Sequence, residues 1–278
     1  MDGLEIVSCP YCKGDSFSPW AVERGFTTVR CTACDFLFLN PRPSESIRSQ
    51  ATQMGVHTAA DGLDISERYI PKKSKRYKCI LADFFSADFS DGQPISWVDI
   101  GAGYGETIDA IRSVAPTGSR IFGVEPMHPK AEAARARGLE IFEQPLGPGI
   151  PVCDYASLID VFSHINDFDD FLQKVRSILK DGGEFFMESG HLDGRRTRDD
   201  FPGVLGSPDH VAFATERHLT GFLERNGFEI IRTRLDRIDG WSFTAKNLVK
   251  KVIGRDVRLR APYSSSYRTV LVRARKLP

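Results

Sequence analysis

A glycine-rich loop lies at Val98-Asp99-Ile100-Gly101-Ala102-Gly103-Tyr104-Gly105-Glu106, and the expected fold can be built outward from it. Its first residues continue an apolar run from Ser96 and predict a buried strand. The residues from Glu106 to about Val114 predict a helix. Because glycine tolerates positive φ and has no Cβ, the loop can turn sharply and let a ligand approach the backbone. A strand, a glycine loop and a helix in this order predict the ligand-binding edge of a doubly wound sheet.

Strands and helices alternate along the chain after this loop. Short apolar runs predict six further strands, at 120–124, 139–142, 155–159, 184–188, 228–231 and 269–272. Apolar residues at helical spacing predict helices at 74–85, 129–137, 168–179 and from Thr215 to Gly227. Together they predict an α/β fold: a Rossmann-like, seven-stranded, mainly parallel sheet with helices on both faces.

Four of the six cysteines form two C-x-x-C pairs, Cys9 with Cys12 and Cys31 with Cys34. Two such pairs, 18 residues apart, match a zinc site of four thiolates, since each pair supplies half of a tetrahedron. A unit of about 40 residues has too little core to fold alone, so the metal would supply folding free energy. Two redox-active pairs are the alternative interpretation.

These features divide the chain into three predicted regions. Residues 1–43 are predicted to form a zinc ribbon, and 44–92 a helical linker or lid. Residues 93–278 are predicted to form the sheet domain, with a basic insertion at about 236–267.

Composition and charge argue against a nucleic-acid-binding, a membrane-spanning or a secreted protein. Lys plus Arg and Asp plus Glu both number 37, and this balance argues mildly against a dedicated nucleic-acid binder. No apolar run approaches the ~20 residues of a membrane span, and the first residues, MDGLEIVSCPYC, lack the features of a signal peptide. The sequence therefore predicts a cytoplasmic protein.

The spacing of the glycines discriminates between two cofactors. A dinucleotide site needs G-x-G-x-x-G, but this loop reads G-x-G-x-G and has Glu106 in place of the last glycine. A carboxylate at the helix start would repel a pyrophosphate. S-adenosylmethionine has no phosphate, and its ammonium group favours carboxylates such as Asp99. Glu125, at the end of the second strand, can accept hydrogen bonds from both ribose hydroxyls. The loop therefore favours S-adenosylmethionine.

Several segments resemble the class I S-adenosylmethionine-dependent methyltransferases, over about residues 75–235. VDIGAGYGE at 98–106 and IFGVEPM at 121–127 resemble the first two motifs of that family. The segment at 157–189 is similar to the region of its fourth and fifth strands, and DHVAFATERHLTGFLERNGFEI at 209–230 to its late helix. CPYC followed by RCTACDFLFLNPRP resembles the N-terminal ribbon of bacterial methyltransferases from surface-saccharide and secondary-metabolite pathways.

The resemblance implies a set of donor-binding residues. The loop residues would flank the methionine tail, Glu125 would hold the ribose, Pro126 and Met127 would border the adenine, and Glu143 or Gln144 would lie near its edge. The donor-site residues expected in this way or from the loop itself are Asp99, Gly101, Ala102, Gly103, Gly105, Glu125, Pro126, Met127, Gln144, Asp160, Val161 and Phe162.

Three histidines follow or precede elements at the edge of the sheet where a methyl group would lie. A hydroxyl acceptor needs its proton removed, which favours a histidine base. We predict His210 as the base, with Asp209 or Glu188 as an orienting group and His191 as the second candidate. His164 is expected to form a wall of the donor pocket.

No such position is predicted for the other three histidines, His57, His128 and His218. An alternative is a magnesium site at Asp193, Asp199 and Asp200, although a solvated loop is the simpler interpretation.

The C-terminal region is basic. From Ala245 onward it has ten Lys or Arg residues and one acid, Asp256. It is predicted either to contact phosphates, as in a nucleotide-sugar, a lipid-linked glycan or RNA, or to be a solvated insertion. Four further arginines could extend this surface: Arg195, Arg196, Arg198 and Arg217.

The sequence thus predicts a methyltransferase acting on a saccharide, sugar-nucleotide or related small molecule through a histidine base. The alternative is an RNA methyltransferase that holds phosphates with its ribbon and basic segment. However, Asp160-Val161-Phe162-Ser163 replaces the N-P-P-[YF] signature of base methylation. A non-catalytic binding module is the third hypothesis, disfavoured by the intact loop and Glu125.

Overall fold

The computed structural model describes residues 3–57, 62–66, 68–192, 197–198, 204–237, 240–254, 259 and 268–278. The strands, in chain order, are β1 (Leu4–Glu5), β2 (Phe17–Glu23), β3 (Phe26–Cys31), β4 (Leu37–Leu39), β5 (Arg42–Pro43), β6 (Val56–His57), β7 (Leu63–Asp64), β8 (Ser96–Ile100), β9 (Arg120–Val124), β10 (Ile141–Phe142), β11 (Cys153–Ile159), β12 (Leu179–His191), β13 (Ala212–Phe213), β14 (Phe228–Arg237) and β15 (Arg268–Lys276). The α-helices are α1 (Glu45–Met54), α2 (Pro71–Phe85), α3 (Glu106–Arg112), α4 (His128–Ala136), α5 (Phe168–Ile178), α6 (Glu216–Arg225) and α7 (Trp241–Val252).

The main sheet has seven strands in the order β10-β9-β8-β11-β12-β15-β14. The first five are parallel, whereas β15 runs antiparallel to both β12 and β14. The chain moves outward from β8 to β10 and then crosses back to β11, so the connections reverse between β8 and β11. Ligands of such sheets bind at this reversal, beyond the carboxyl ends of the strands. The predicted seven-stranded, mainly parallel sheet is confirmed.

Side chains alternate across the sheet and place helices on both faces. Trp97 of β8 packs with α2, α3 and α4, whereas Val98 and Ile100 pack with α5 and α6. The stripe predicted for α5 is buried, and the Asp167 carboxylate caps that helix by accepting from the Asp170 N–H at 3.1 Å. The spacing of apolar residues is therefore sufficient to orient these helices.

The N-terminal region shares a sheet with the rest of the chain. Strands β2, β3 and β4 are joined by β13, which comes from residues far downstream. The Leu39 N–H donates to the Val211 carbonyl at 2.9 Å, and the Tyr11 ring packs edge-on against Phe222 of α6 at 5.0 Å. The region boundaries predicted at residues 43 and 92 remain predictions, but the first region is attached through this added strand.

Two further features concern the helices of the chain. The insertion predicted at 236–267 contains α7, an exposed helix. Within the described part of the chain, every helix is too short or too polar to cross a bilayer.

Candidate active site

A cleft of about 840 Å³ opens where β8, β9 and β11 end, at the reversal of the sheet. The segment between α1 and α2 and the residues before β13 form its other walls. The residues predicted for the site that line this cleft are Gly101, Ala102, Gly103, Glu125, Pro126, Met127, Asp160, Val161, His164 and His210.

The glycine loop has a backbone that other residues would strain. Gly101, Gly103 and Gly105 have φ values of 73°, 54° and 90°. A Cβ on Gly101 would lie 2.4 Å from Cγ2 of Val161, whereas Gly103 has no other atom within 4 Å of that position. The close approach to Val161 therefore requires glycine at position 101, and the open space at Gly103 faces the cleft.

Glu125 is held rigidly at the end of β9. Its Oε2 accepts from the Gly103 N–H at 2.7 Å, and its Oε1 accepts from the Met127 N–H at 2.9 Å. Burial raises its pKa, and these two N–H groups oppose that effect. A carboxylate has about four acceptor positions, so two remain for the hydroxyls of a ligand in the cleft.

Asp99 lies beneath the loop and outside the cleft wall. The Ser157 hydroxyl donates to its Oδ1 at 2.6 Å and itself accepts from the Trp97 indole N–H at 3.1 Å. Burial raises the pKa of Asp99 to about 7. The structure thus replaces the predicted contact with a ligand ammonium by a supporting contact within the sheet, because the carboxylate points between two strands.

Three other residues predicted for the donor site are also behind the cleft wall. Gly105 is the N-cap of α3, and a Cβ there would lie 2.1 Å from the Leu139 side chain. Phe162 packs against Phe168 with ring centroids 4.8 Å apart. The Gln144 amide donates to the Pro148 carbonyl at 3.0 Å. None of these three residues belongs to the cleft lining.

Glu188 differs from its predicted position beside His210. Both of its carboxylate oxygens accept from the Arg76 guanidinium on α2. The pair lies in a second cavity, which it shares with Asp160 and Asp236. Burial and then the charge of Asp160 raise the pKa of Glu188 to about 7, and Arg76 opposes the rise. Glu188 therefore cannot orient His210.

His191 also differs from its prediction. It ends β12, but its Nδ1 accepts from the Glu216 N–H at 3.1 Å, at the start of α6. It does not line the cleft. The helix needs acceptors for its first N–H groups, and this requirement turns the imidazole away from the cleft.

A cluster of three side chains lies on the cleft wall: His164, Asp209 and His210. One ring nitrogen of each histidine and one carboxylate oxygen of Asp209 all lie within 4.8 Å of one another. The Asp209 carboxylate is 3.3 Å from Nδ1 of His164, and the two histidine rings meet edge to face with centroids 4.7 Å apart. Asp209 was predicted to orient His210, but the structure pairs its carboxylate with His164.

The charges in this cluster set its protonation. Burial, followed by the positive charge of His164, lowers the pKa of His210 to about 4. Burial acts to raise the pKa of Asp209, but His164 and His210 outweigh it and bring the value to about 2. At neutral pH the cluster therefore presents a neutral His210 ring beside an ionised Asp209.

His57 belongs near this cluster, although the sequence predicted no role for it. It is fully buried in β6, its Nδ1 has no hydrogen-bond partner among the described groups, and burial lowers its pKa. Arg48 of α1 fixes the neighbouring wall by donating to the His164 carbonyl and to the Asn166 side chain. No sequence signal marks these residues, because they lie far from His164 along the chain.

The pH dependence of stability follows from His210. Its folded-state pKa of about 4 lies below the unfolded value of about 6.5, so the unfolded chain binds more protons between these values. Stability therefore rises with pH across this window and is lost as pH falls from about 6.5 to about 4, by about 3 kcal/mol for this group. Urea unfolding at several pH values should show this loss, and His210→Asn should reduce it. An unchanged slope in the variant would contradict the assignment.

The four cysteines converge on one point. Their Sγ atoms all lie within 4.8 Å of one another, with Cys9 3.6 Å from Cys34 and Cys12 3.5 Å from Cys31. A tetrahedron with Zn–S distances of about 2.3 Å has edges of about 3.8 Å, so four thiolates around one zinc ion fit this spacing.

Each cysteine pair sits in a turn of the same form. The Cys9 N–H donates to the Gly14 carbonyl and the Cys31 N–H to the Phe36 carbonyl, both at 2.9 Å. The residue directly after the second cysteine of each pair, Lys13 or Asp35, has a φ of 63°. Equivalent turns place the four sulfur atoms symmetrically, which is the arrangement that a tetrahedral ion requires.

α6 holds the second cysteine turn against the rest of the chain. The His218 ring lies 2.9 Å through Nε2 from the Cys34 carbonyl, and its Nδ1 accepts from the Thr215 N–H at 3.2 Å. Arg217 donates to the same Cys34 carbonyl. His218 therefore joins the capping box of α6 to the cysteine cluster.

Some predicted charged sites take other positions. Arg198 is 3.7 Å from Glu23, and Arg217 donates a hydrogen bond to the Cys34 carbonyl, so both contact the N-terminal region. The remaining predicted groups lie outside the described residues: Asp193, Asp199, Asp200, Arg195 and Arg196.

Comparisons with known proteins agree with this geometry. The model of a family described as "Methyltransferase domain" matches residues 69–233. The YcgJ protein of Bacillus subtilis is similar in fold, with a TM-score of 0.53 and 15% identity over 73% of this chain and 99% of its own. The [4+2]-cyclase SpnF has a TM-score of 0.52 and 17% identity over 73% of this chain and 81% of its own. A putative S-adenosylmethionine-dependent methyltransferase from Listeria monocytogenes has a TM-score of 0.50 and 15% identity over 73% of this chain and 100% of its own. No curated protein sequence is significantly similar.

Proposed function

This chain belongs to the methyltransferase-domain family and is an S-adenosylmethionine-dependent methyltransferase; we propose that it methylates a hydroxyl group of a saccharide, sugar nucleotide or related small molecule. The observation that carries the proposal is the presence of the His164–Asp209–His210 cluster in the wall of the same cleft as the glycine loop. A hydroxyl acceptor needs a base at this place, whereas binding alone does not.

The donor supplies an activated methyl group on a sulfonium, so the protein mainly has to align the acceptor and exclude water. Glu125 can accept from the ribose hydroxyls with its free lone pairs. The Gly101–Gly103 backbone would lie along the methionine tail, and Asp160 and Val161 would border the methyl group. These roles place the transferred carbon at the end of β11, next to the histidine cluster.

His210 is the proposed base. Its ring is neutral at neutral pH, lines the cleft and can therefore accept the proton of an acceptor hydroxyl. The nearby Asp209 carboxylate would stabilise the charge that then develops on the imidazole. The His164–Asp209 pair holds that carboxylate in place.

The far wall of the cleft supports a hydroxyl-rich acceptor. Its side chains include a high share of hydrogen-bonding groups from α1, the turn after β11 and α5: Glu45, Arg48, Ser49, Thr52, Gln53, Asn166 and Lys174. Such side chains suit a sugar, whose hydroxyls need donors and acceptors when they leave water.

We also propose that Cys9, Cys12, Cys31 and Cys34 bind one zinc ion as four thiolate ligands. The distances, the paired turns and the thiol donor set fit the ion. With four protein ligands there is no open position for a substrate, so the site would be structural. It would hold β4 beside Val211, the residue that follows His210.

One experiment tests the function in two steps. Calorimetry with S-adenosylmethionine and its demethylated product should show binding, and labelled donor should then transfer its methyl group to sugar nucleotides or glycans. Transfer to RNA alone would overturn the acceptor class, and its RNA affinity should fall steeply with salt. An absence of transfer to every oxygen acceptor, despite donor binding, would overturn the proposed chemistry.

The donor site can be tested at Gly101. In Gly101→Ala the new Cβ would overlap Val161, so the loop or the wall must move, and we expect donor affinity to fall by about 10-fold or more. Gly92→Ala is the matched control, since Gly92 has a similar positive φ of 69°, no neighbour within 4 Å of its Cβ position and no place in the cleft lining. Calorimetry of both variants measures the difference, and equal donor affinities would show that the approach to Val161 does not shape the site.

A further inference from the structure

Helix α7 turns an apolar face toward solvent. Five large apolar side chains on it or at its end are exposed: Trp241 (72%), Leu248 (52%), Val249 (61%), Val252 (81%) and Ile253 (64%). At 100° per residue these side chains and Ala245 fall within an arc of about 140°, which also includes position 242, a serine. The exposed apolar side chains that the structure describes on α7 are thus gathered on one side of the helix.

Two polar side chains of α7 are less exposed than its apolar ones. Among the side chains of α7 that the structure describes, those of Thr244 and Asn247 are half-buried, and both lie outside the apolar arc. A helix that packs on a core does the reverse and buries its apolar stripe. An exposed apolar arc of this kind marks a surface that another body covers.

The charged residues around the arc indicate which kind of surface would cover it. Lys246 and Lys250 flank one side of it and Lys251 lies on the other, and residues 240–254 contain no acid. The next residues add three arginines and one aspartate, although the whole chain has no net charge. Apolar residues flanked by lysines, with a tryptophan, are the pattern of a helix that lies in the interface of an anionic membrane.

Two other occupants fit less well. In a symmetric dimer the patch would face its own copy, and lysines at the rim of the arc would meet lysines. A nucleic acid would be held by lysines and arginines that face it, but the outward face of α7 is apolar and its lysines lie at the edges. An anionic bilayer matches both the apolar arc and the lysines, since lysine side chains can extend from the arc to lipid headgroups.

We infer that α7 is an interfacial helix that docks this methyltransferase on an anionic lipid surface. A helix of 12 residues is too short to span the bilayer, so the enzyme would rest on the surface with the apolar arc at the headgroup boundary. The inference is independent of the identity of the methyl acceptor, because α7 contributes no residue to the cleft lining.

The test is vesicle flotation with the full chain. Vesicles of phosphatidylcholine with about 30% phosphatidylglycerol should bind the protein, vesicles of phosphatidylcholine alone should bind it weakly, and high salt should reduce binding. The double variant Leu248→Glu with Val252→Glu should lower the partition coefficient by about 10-fold or more, because it places two charges in the apolar arc.

A matched control separates docking from general effects of surface charge. Val22→Glu makes the same kind of change at a 69% exposed valine on β2, and it should leave vesicle binding unchanged. Donor affinity should be unchanged in all variants and shows that they are folded. Trp241 fluorescence should shift to shorter wavelength on binding, and Trp241→Phe should remove that change.

Three outcomes would overturn the inference: equal vesicle binding by the double variant and the unaltered chain, no binding to anionic vesicles at all, or a dimer in solution that the double variant dissociates. None of these depends on methyl transfer. Failure of the docking inference is therefore distinct from failure of the proposed chemistry.

Discussion

Replacing Cys12 with serine is expected to weaken zinc binding and to lower the thermal midpoint by roughly 5–16 °C. A structural zinc site contributes about 10–16 kcal/mol, which divided among four ligands gives about 2.5–4 kcal/mol for one thiolate. A change of 1 kcal/mol shifts the midpoint of a chain of this size by about 2–4 °C. Metal analysis of the purified protein, with scanning calorimetry, measures both effects.

Cys12 is the most informative ligand because it is exposed, whereas Cys9, Cys31 and Cys34 are buried. Its replacement therefore removes little packing, and the loss of stability reports the metal. Cys79→Ser is the matched control, since Cys79 is also exposed and lies outside the cluster. If the unaltered protein contains no zinc, or if both variants unfold at the same temperature, the zinc proposal fails.

Zinc loss should also disturb the active site through the shared sheet. Leu39 of β4 donates to the Val211 carbonyl, and the Val211 N–H donates to the Ser163 carbonyl at 2.8 Å. His210 and His164 are the direct chain neighbours of this bonded pair. We therefore expect the Cys12 variant to lose methyl transfer more than donor affinity, because Glu125 and the glycine loop follow β9 and β8 of the main sheet, which the N-terminal sheet does not pair with.

Replacing His210 with alanine is expected to lower kcat by about 10²–10⁴-fold, the usual contribution of a general base. Donor affinity should change little, because His210 is assigned to the acceptor and not to the donor. Steady-state kinetics with a hydroxyl acceptor and calorimetry with S-adenosylmethionine measure the two quantities. Retention of full turnover would show that His210 is not the base.

Two further variants make this result specific. His128→Ala is the matched control, since His128 is exposed, pairs with Glu143 and lies outside the cleft lining. It should leave kcat unchanged. His164→Ala should have an intermediate effect, because it removes the partner of Asp209 but leaves the proposed base. A larger loss in the His164 variant than in the His210 variant would transfer the role of base to His164.

The proposed base should also leave a signature in the pH profile. With a pKa of about 4, the His210 imidazole is unprotonated over the neutral range. Protonation of the base should therefore not lower kcat between about pH 8 and pH 5. The stability of the protein falls over part of the same pH range, so rates at each pH should be measured at a temperature below the thermal unfolding midpoint.

Much of the fold could be predicted because its signals are local. β8 and β9 lie where the apolar runs predicted them, and α5 lies within the predicted helix at 168–179 and buries most of its apolar residues. The two cysteine turns have equivalent spacing, which is visible without a structure. These features depend on interactions between residues a few positions apart, so the sequence contains them directly.

The partners in the site could not be predicted in the same way. The sequence offered Asp209 or Glu188 as the group that orients His210, yet Glu188 pairs with Arg76 and Asp209 with His164. These contacts join residues from separate elements, and many pairings of equal plausibility exist until the elements pack. His57 had no signal at all, since it lies in a two-residue strand.

The sequence by itself determined that a strand, a sharply turning glycine loop and a helix follow one another and that a carboxylate ends the next strand, because φ preferences and strand periodicity act locally. Only the tertiary structure decided that β13 completes the N-terminal sheet and that His164, Asp209 and His210 meet, with His57 near them. The physical reason is that strand pairing and side-chain burial across long sequence separations depend on how whole elements pack, and no short segment specifies that packing.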